Sequence, residues 1–204
     1  RTSNNLANVN VPGFRRDLAD ESGYRNLSFD DQLSARTLGL ETGVSKFSTA
    51  QGTINDSGVD TDIALVGEGF IFVQPRNGTI ALSRRGDMSL SSEGVLQDGA
   101  GSQILDRDLQ TIVLPAYRDI QIQATGEILV DALATQAGEF VSYGFIGTSN
   151  PAADSLFKDI DGQIRTEDGT VPAADPNVKI AQGMLEAANV NSVEELVSSM
   201  ELQR

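Results

Sequence analysis

The 204-residue chain carries 29 acidic against 15 basic residues, a formal net charge of −14, and has neither Cys nor His. Such a balance argues against nucleic acid, where cationic side chains supply most of the affinity, and against an electrostatic membrane anchor. Without Cys there are no disulfides or thiolate sites, and without His no Ser-His-Asp or Cys-His catalytic set and none of the common zinc sites. No apolar run approaches the roughly 18 residues of a membrane-spanning helix. The residue types therefore single out no catalytic, cofactor or metal site.

The chain opens on Arg1 rather than Met, and is read as starting inside a longer gene product. Residues 1–14 (RTSNNLANVNVPGF) suit the end of a helix around Leu6 and Ala7, stopped by Pro12-Gly13. Residues 15–54 are polar and mixed, with Phe29, Leu33, Leu38, Leu40 and Phe47 showing no period. They are expected to form an extended linker.

Residues 55–180 read as a β domain. Phe70 to Gln74 is apolar at successive positions, so both strand faces should be buried in a central strand. Asn77-Gly78 then predicts a hairpin into Thr79–Ser83. Turn residues recur at Ser92-Glu93-Gly94, Asp98-Gly99, Asp161-Gly162 and Asp168-Gly169. Between them, Ile120–Gln123 alternates with period two, and Ile128–Val130, Phe140–Ile146 and the surroundings of Ile164 continue the pattern. Turns this closely spaced predict a mainly β fold, a sheet-rich domain of short strands arranged as a barrel or sandwich.

Residues 181–204 change period. Ser192-Val193-Glu194-Glu195 has the form of a capping box, in which Ser192 accepts from the Glu195 amide and Glu195 reaches back. Val193, Leu196, Val197 and Met200 follow at i, i+3, i+4 and i+7, one stripe of a helix. The sequence ends at Arg204 without a helix-stop signal, so the helix is expected to continue further. A helix this short is marginal alone in water and needs a partner.

Three short motifs have plainer explanations than function. Arg85-Gly86-Asp87 matches an integrin-recognition triplet, but glycine in a turn after a strand accounts for it equally. Val66-Gly67-Glu68-Gly69-Phe70 lacks the third glycine of a dinucleotide loop, and its glycines precede the strand. Asp159-Ile160-Asp161-Gly162 places Gly too early for a calcium loop, and position twelve would be Thr170. An adhesin and a metal-dependent hydrolase are thus the weaker alternatives.

The two ends carry a more specific signal. Asn5-Leu6-Ala7-Asn8-Val9-Asn10-Val11-Pro12-Gly13-Phe14-Arg15 resembles the N-terminal signature of the flagellar basal-body rod and hook family, with Val11 where that pattern carries Thr. Gln182-Gly183-Met184-Leu185-Glu186-Ala187-Ala188-Asn189-Val190-Asn191-Ser192-Val193-Glu194-Glu195-Leu196 resembles its C-terminal signature. Between them, Gln51–Ile54, Asp62–Leu65, Gly67–Phe70, Arg84–Leu90 and Gly94–Leu96 match in the same order.

Within the family, Phe157–Val178 looks most like the proximal rod branch, with the distal rod branch as rival; the hook branch would need large outer insertions. The resemblance implies a structural subunit, not an enzyme, whose terminal helices pair as a coiled coil beneath the β domain. It would stack helically with like and neighbouring rod subunits in the basal body, spanning the periplasm and transmitting torque, after export through the flagellar export apparatus. Assembly residues would be Asn5, Leu6, Asn8, Pro12, Gly13 and Phe14 at one end. At the other they would be Asn189, Val190, Asn191, Val193, Leu196, Val197 and Met200. No cofactor, nucleic acid or membrane insertion is implied.

Overall fold

The structure, a computed structural model, describes residues 2–18, 46–76, 78–159 and 161–201. Most of the expected linker, 19–45, lies outside the described residues. Two helices sit at the ends, α1 (Thr2–Ala7) and α2 (Ser192–Glu201). Between them run β1 (Ile54–Asp56), β2 (Ile63–Val66), β3 (Phe70–Gln74), β4 (Ala81–Ser83), β5 (Met88–Leu90), β6 (Leu96–Asp98) and β7 (Gln103–Ile104). Then come β8 (Tyr117–Ile122), β9 (Glu127–Ala132), β10 (Phe140–Phe145), β11 (Thr148–Ser149), β12 (Leu156–Lys158), β13 (Ile164–Thr166), β14 (Lys179–Gln182) and β15 (Met184–Glu186). The fold is mainly β, as its turn spacing predicts. Among the described residues, no helix is long and apolar enough to cross a membrane.

The main sheet follows the order β12-β13-β4-β3-β7-β6-β5, with β11 also paired to β3, and a three-stranded sheet follows β10-β9-β8. Strand β3 is central: β4 pairs along one edge, β7 and β11 along the other. Its run of apolar residues is explained by the pleat, which sends successive side chains to opposite faces. Ile71 and Val73 join a core with Ile63, Leu65, Ile104, Ile128, Val130 and Ile146, while Phe70 and Phe72 join a second core with Phe47, Leu82, Leu105, Leu156 and Ile164. Burying a side chain as completely as Phe72 contributes about 1.5–3 kcal/mol.

The predicted hairpin forms, with Ile71, Phe72 and Val73 opposite Ser83, Leu82 and Ala81. Gly78 takes the positive φ of 83° that the turn requires; Asn77 lies outside the described residues. Two small ladders then tie the distant ends of the chain together. β1 pairs with β15, and β2 pairs with β14. Strand β15 carries Glu186 into the interior at this junction.

The motifs set aside on sequence grounds have structural roles. Arg85 bonds Asp87 through two contacts, 2.7 and 2.8 Å, so the triplet closes on itself instead of presenting both charges outward. Arg165 donates to Asp159 at 2.7 Å and to Asp161 at 2.9 and 2.7 Å, drawing both carboxylates into ion pairs. Gly67 and Gly69, with φ of 87° and 124°, turn their carbonyls toward the Arg84 guanidinium.

Candidate functional site

The two ends of the chain meet in one polar junction. Gly13 adopts φ 68°, bending the backbone after Pro12 so that its N–H donates to the Glu186 carbonyl at 2.7 Å. The approach is so close that a Cβ on Gly13 would lie 2.2 Å from the Arg84 carbonyl oxygen. Phe14 accepts from the Asn189 amide at 3.2 Å, and the Lys158 ammonium sits 3.7 Å above its ring centroid. This stretch also presses 16–18 against 46–48, with Asp17 and Phe47 in an antiparallel bridge.

Beneath the bend lies a buried ionic cluster. Glu186 has no exposed side-chain surface; Arg84 Nη1 donates to its Oε2 at 2.9 Å, and the Gly52 N–H donates to Oε1 at 2.8 Å. Arg15 Nη2 lies 2.8 Å from the same Oε1, but neither it nor Nε is aligned for a hydrogen bond among the described residues. Nη1 of Arg15 instead donates to the Ala50 carbonyl. Two guanidiniums therefore share one carboxylate in a dry site. Burial, opposed by the pull of Glu186 and aided by repulsion from Arg84, brings the Arg15 pKa down to about 10.

Next to it, Lys158 donates to the Arg15 carbonyl at 2.9 Å and to Asp17 Oδ1 at 2.7 Å. Burial lowers its pKa even though Asp17 pulls the other way.

A third set of contacts locks the helices. Asn5, buried at the end of α1, accepts from the Asp17 N–H at 2.8 Å and donates to the Asp17 carbonyl at 3.0 Å and to Glu195 Oε1 at 3.1 Å. Arg16 Nε donates to the same Glu195 oxygen at 2.6 Å. Asn189 clamps two backbone segments to its own: it accepts from the Arg16 N–H at 2.6 Å and donates to the Ser48 and Ala50 carbonyls at 3.0 and 2.7 Å. Buried amides and carboxylates satisfied this fully hold one orientation, because any slip would strand a polar group without water.

The residues expected to mediate assembly thus divide into two sets. Asn5, Gly13, Phe14 and Asn189 make the junction, with half-buried Leu6, Pro12 and Val190 around it. Asn8 stays local, donating to the Asn4 carbonyl at 2.8 Å. Asn191 caps α2, accepting from the Val193 N–H at 3.1 Å while its own amide donates to Glu194. The cap is therefore Asn191 and not Ser192, which frees Glu195 to bond Asn5 and Arg16 across the junction.

Val193, Leu196, Val197 and Met200 point to solvent, 46–66% exposed. Within the chain, α1 is joined to the opposite side of α2, through Glu195. The sequence alone gave Asp17 no role, and Arg84, Lys158, Glu186 and Arg15 appeared only inside longer motifs. Their one signal is charge placed next to apolar strands.

Over 207 residues the chain is 31% identical to the flagellar basal-body rod protein FlgF of Caulobacter vibrioides, spanning 99% of this chain and 80% of that protein. The chain belongs to the flagellar basal-body rod protein family. Among other members of that family it is 30% identical to the rod protein FlgG of Buchnera aphidicola from Acyrthosiphon pisum (99% and 83% of the two chains). It is 27% identical to FlgF of Salmonella typhimurium (95% and 77%).

Residues 64–130 match the flagellar hook protein FlgE/F/G D1 domain, and residues 181–204 match the flagellar basal body rod FlgEFG protein C-terminal region. The rod-family regions correspond to the sheet around β3 and to the segment that carries Asn189, Asn191 and α2. This member of the rod family is a structural component of the flagellar basal body.

Proposed function

We propose that the chain is a proximal rod subunit that transmits torque through packed interfaces with neighbouring rod subunits. The observation that carries this reading is the junction of the two ends. Asn5, Arg16 and Glu195 fix the short helices to each other, and Arg15, Arg84 and Glu186 fix them to the β sheets. A twist applied to the helices then passes into the sheets through ion pairs and hydrogen bonds, with little compliance between them. The apolar stripe of α2 is left facing outward, where another subunit can cover it.

In this reading residues 1–14 and 181–204 form the assembly end, 55–180 the outer β domain, and 15–54 the linker between them. Stacked subunits would span the periplasm, having reached it through the flagellar export apparatus. Function then lies in interfaces, with no residue performing chemistry. The distal rod is the second reading, since proteins of both names lie at 30–31% identity.

The test is Leu196→Asp. Leu196 is 49% exposed, so the fold should survive within about 0.5 kcal/mol by thermal unfolding. Yet a charge would enter the seam between subunits, where an unpaired ion is costly. The expected result is a folded, exported subunit and a cell without a working flagellum. Cells that swim and build rods with Leu196→Asp would remove the stripe from the assembly surface. Rescue of a proximal-rod deletion, and not of a distal-rod deletion, would separate the two positions.

A further inference from the structure

The β9–β10 hairpin and the segment leading into β8 form a surface unlike the rest of the chain in composition. Residues 109–117 carry no charged side chain, and residues 132–145, the hairpin loop and β10, carry only Glu139, whereas 22% of the whole chain is charged. The two segments are adjacent: Tyr117 pairs with Ala132, and the Leu133 N–H donates to the Ala116 carbonyl at 2.9 Å. Where they meet, Arg118 and Asp131 neutralise each other at 2.9 Å. Val113 and Leu133, 54% and 55% exposed, are the most exposed large hydrophobics of the β domain among the described residues. Val141 of β10 is exposed as well. Loss of charge from exposed positions, with apolar side chains left there, is the compositional mark of a protein contact.

The surface is also held ready. Loops are ordinarily the mobile part of a fold, but this one is braced by a single guanidinium. Arg118 Nη1 donates to the Ala132 carbonyl at 2.7 Å and to Asp131 Oδ1, and Nη2 donates to the Leu133 and Thr135 carbonyls at 3.0 and 3.3 Å. The other oxygen of Asp131 accepts from the Gly138 N–H at 3.0 Å. A tip fixed in this way presents Leu133 and Ala134 without an ordering cost on docking. Beside it, β10 ends the three-stranded sheet, and no strand pairs with its outer edge among the described residues. Phe140–Phe145 contains neither the Lys nor the Pro that commonly blocks such an edge.

We propose that this neutral surface docks a second copy of the chain, β domain against β domain. Each copy carries a net charge of −14, so two copies repel wherever their acidic side chains face each other. They approach closely only where those side chains are missing on both, and this surface meets that condition. The β10 edge also calls for peptide groups, which another chain offers and a lipid surface does not. A cationic partner would gain little here, since Glu139 is the one acid it could pair with. The contact goes beyond the junction and the α2 stripe by giving the β domain an interface of its own.

Sedimentation velocity over a concentration series tests this, with Leu196→Asp included in every sample to remove the α2 stripe as a competing contact. Self-association should appear below about 1 mM. It should strengthen from about 0.05 M to about 1 M salt, as screening removes the repulsion and leaves the apolar contact. Leu133→Asp and Val113→Asp should each weaken it at least about tenfold, because each places an unpaired charge in the contact. Both positions are exposed, and unchanged thermal unfolding shows that the fold survives. Val59→Asp is the control: 49% exposed and outside the neutral surface, it should leave association unchanged. The chain has no Cys, so Leu133→Cys supplies a single thiol. That thiol should react freely in dilute chain and become shielded as copies associate.

Association that is absent up to about 1 mM, that weakens with salt, or that ignores Leu133→Asp overturns the proposal. So does equal loss in Val59→Asp. A Leu133→Cys thiol already shielded in dilute chain overturns it too, because the chain would then cover this surface itself. The rod reading fails by a different observation: a strain lacking this gene that still builds rods would remove it and leave the association in solution unchanged.

Discussion

Replacing Glu186 tests the junction at its centre. Its carboxylate is fully buried, lies within 2.9 Å of Arg84 and 2.8 Å of Arg15, and accepts the Gly52 N–H. Glu186→Gln keeps the shape but removes the only carboxylate paired with either guanidinium among the described residues. Breaking a buried ion pair from one side costs about 3–5 kcal/mol, since the remaining charge stays dry and uncompensated. At about 2–4 °C per kcal/mol for a chain of this size, the melting temperature should fall by roughly 6–20 °C.

Arg15 should behave differently. Its pKa of about 10 against an ordinary 12.5 means that its charge is held at a cost near 3 kcal/mol, at 1.36 kcal/mol per pKa unit. Arg15→Met removes that cost along with one bond to the Ala50 carbonyl, and leaves Glu186 and Arg84 as a balanced pair. It should therefore cost less than about 1 kcal/mol, or stabilise. Thermal unfolding by circular dichroism, with urea titration as a second measure, gives both values. If Glu186→Gln costs under about 1 kcal/mol, or Arg15→Met costs as much as Glu186→Gln, the cluster is not held by its charges.

Three further outcomes follow from named contacts. Gly13→Ala meets both a positive φ and the Arg84 carbonyl, so it should cost about 2–4 kcal/mol and loosen α1; unchanged stability would show that the bend relaxes freely. Asp98 is pushed above its ordinary pKa by burial, against the pull of the Ser102 and Ala100 amides. A raised folded pKa gives stability that is present below the unfolded pKa and lost as pH rises through the folded one. Wild type should therefore gain on Asp98→Asn as pH falls through the folded pKa of Asp98 toward the ordinary carboxylate range, and stability-versus-pH curves of the two proteins that stay parallel from neutral pH down through that range would contradict this. Calorimetric titration with Ca²⁺ or Mg²⁺ should show nothing tighter than millimolar, because Arg165 already engages Asp159 and Asp161; a micromolar site lost in Asp161→Asn would revive a metal role.

What the sequence determined by itself is local. The period-two runs became β8 and β9, and Asn77-Gly78 marked the hairpin between β3 and β4. The apolar doublets of Phe70–Val73 announced a strand buried on both faces. Each such signal is carried by residues a few positions apart, whose pleat, turn or helical period depends on nothing else.

Even there, the boundary of α2 moved by one residue, because Asn191 could accept from the first turn while Ser192 began the helix. Only the tertiary structure decided which charges meet. Glu186 and Arg84 are 102 positions apart, and Asn5 and Glu195 are 190 apart. No spacing rule links such residues: their pairing depends on β1 meeting β15 and on Gly13 bending the backbone beneath Arg84. The same holds for the direction of the α2 stripe. Its period is legible from Val193 to Met200, but which side α1 covers is set by the burial of Glu195, and that is a property of the packed junction.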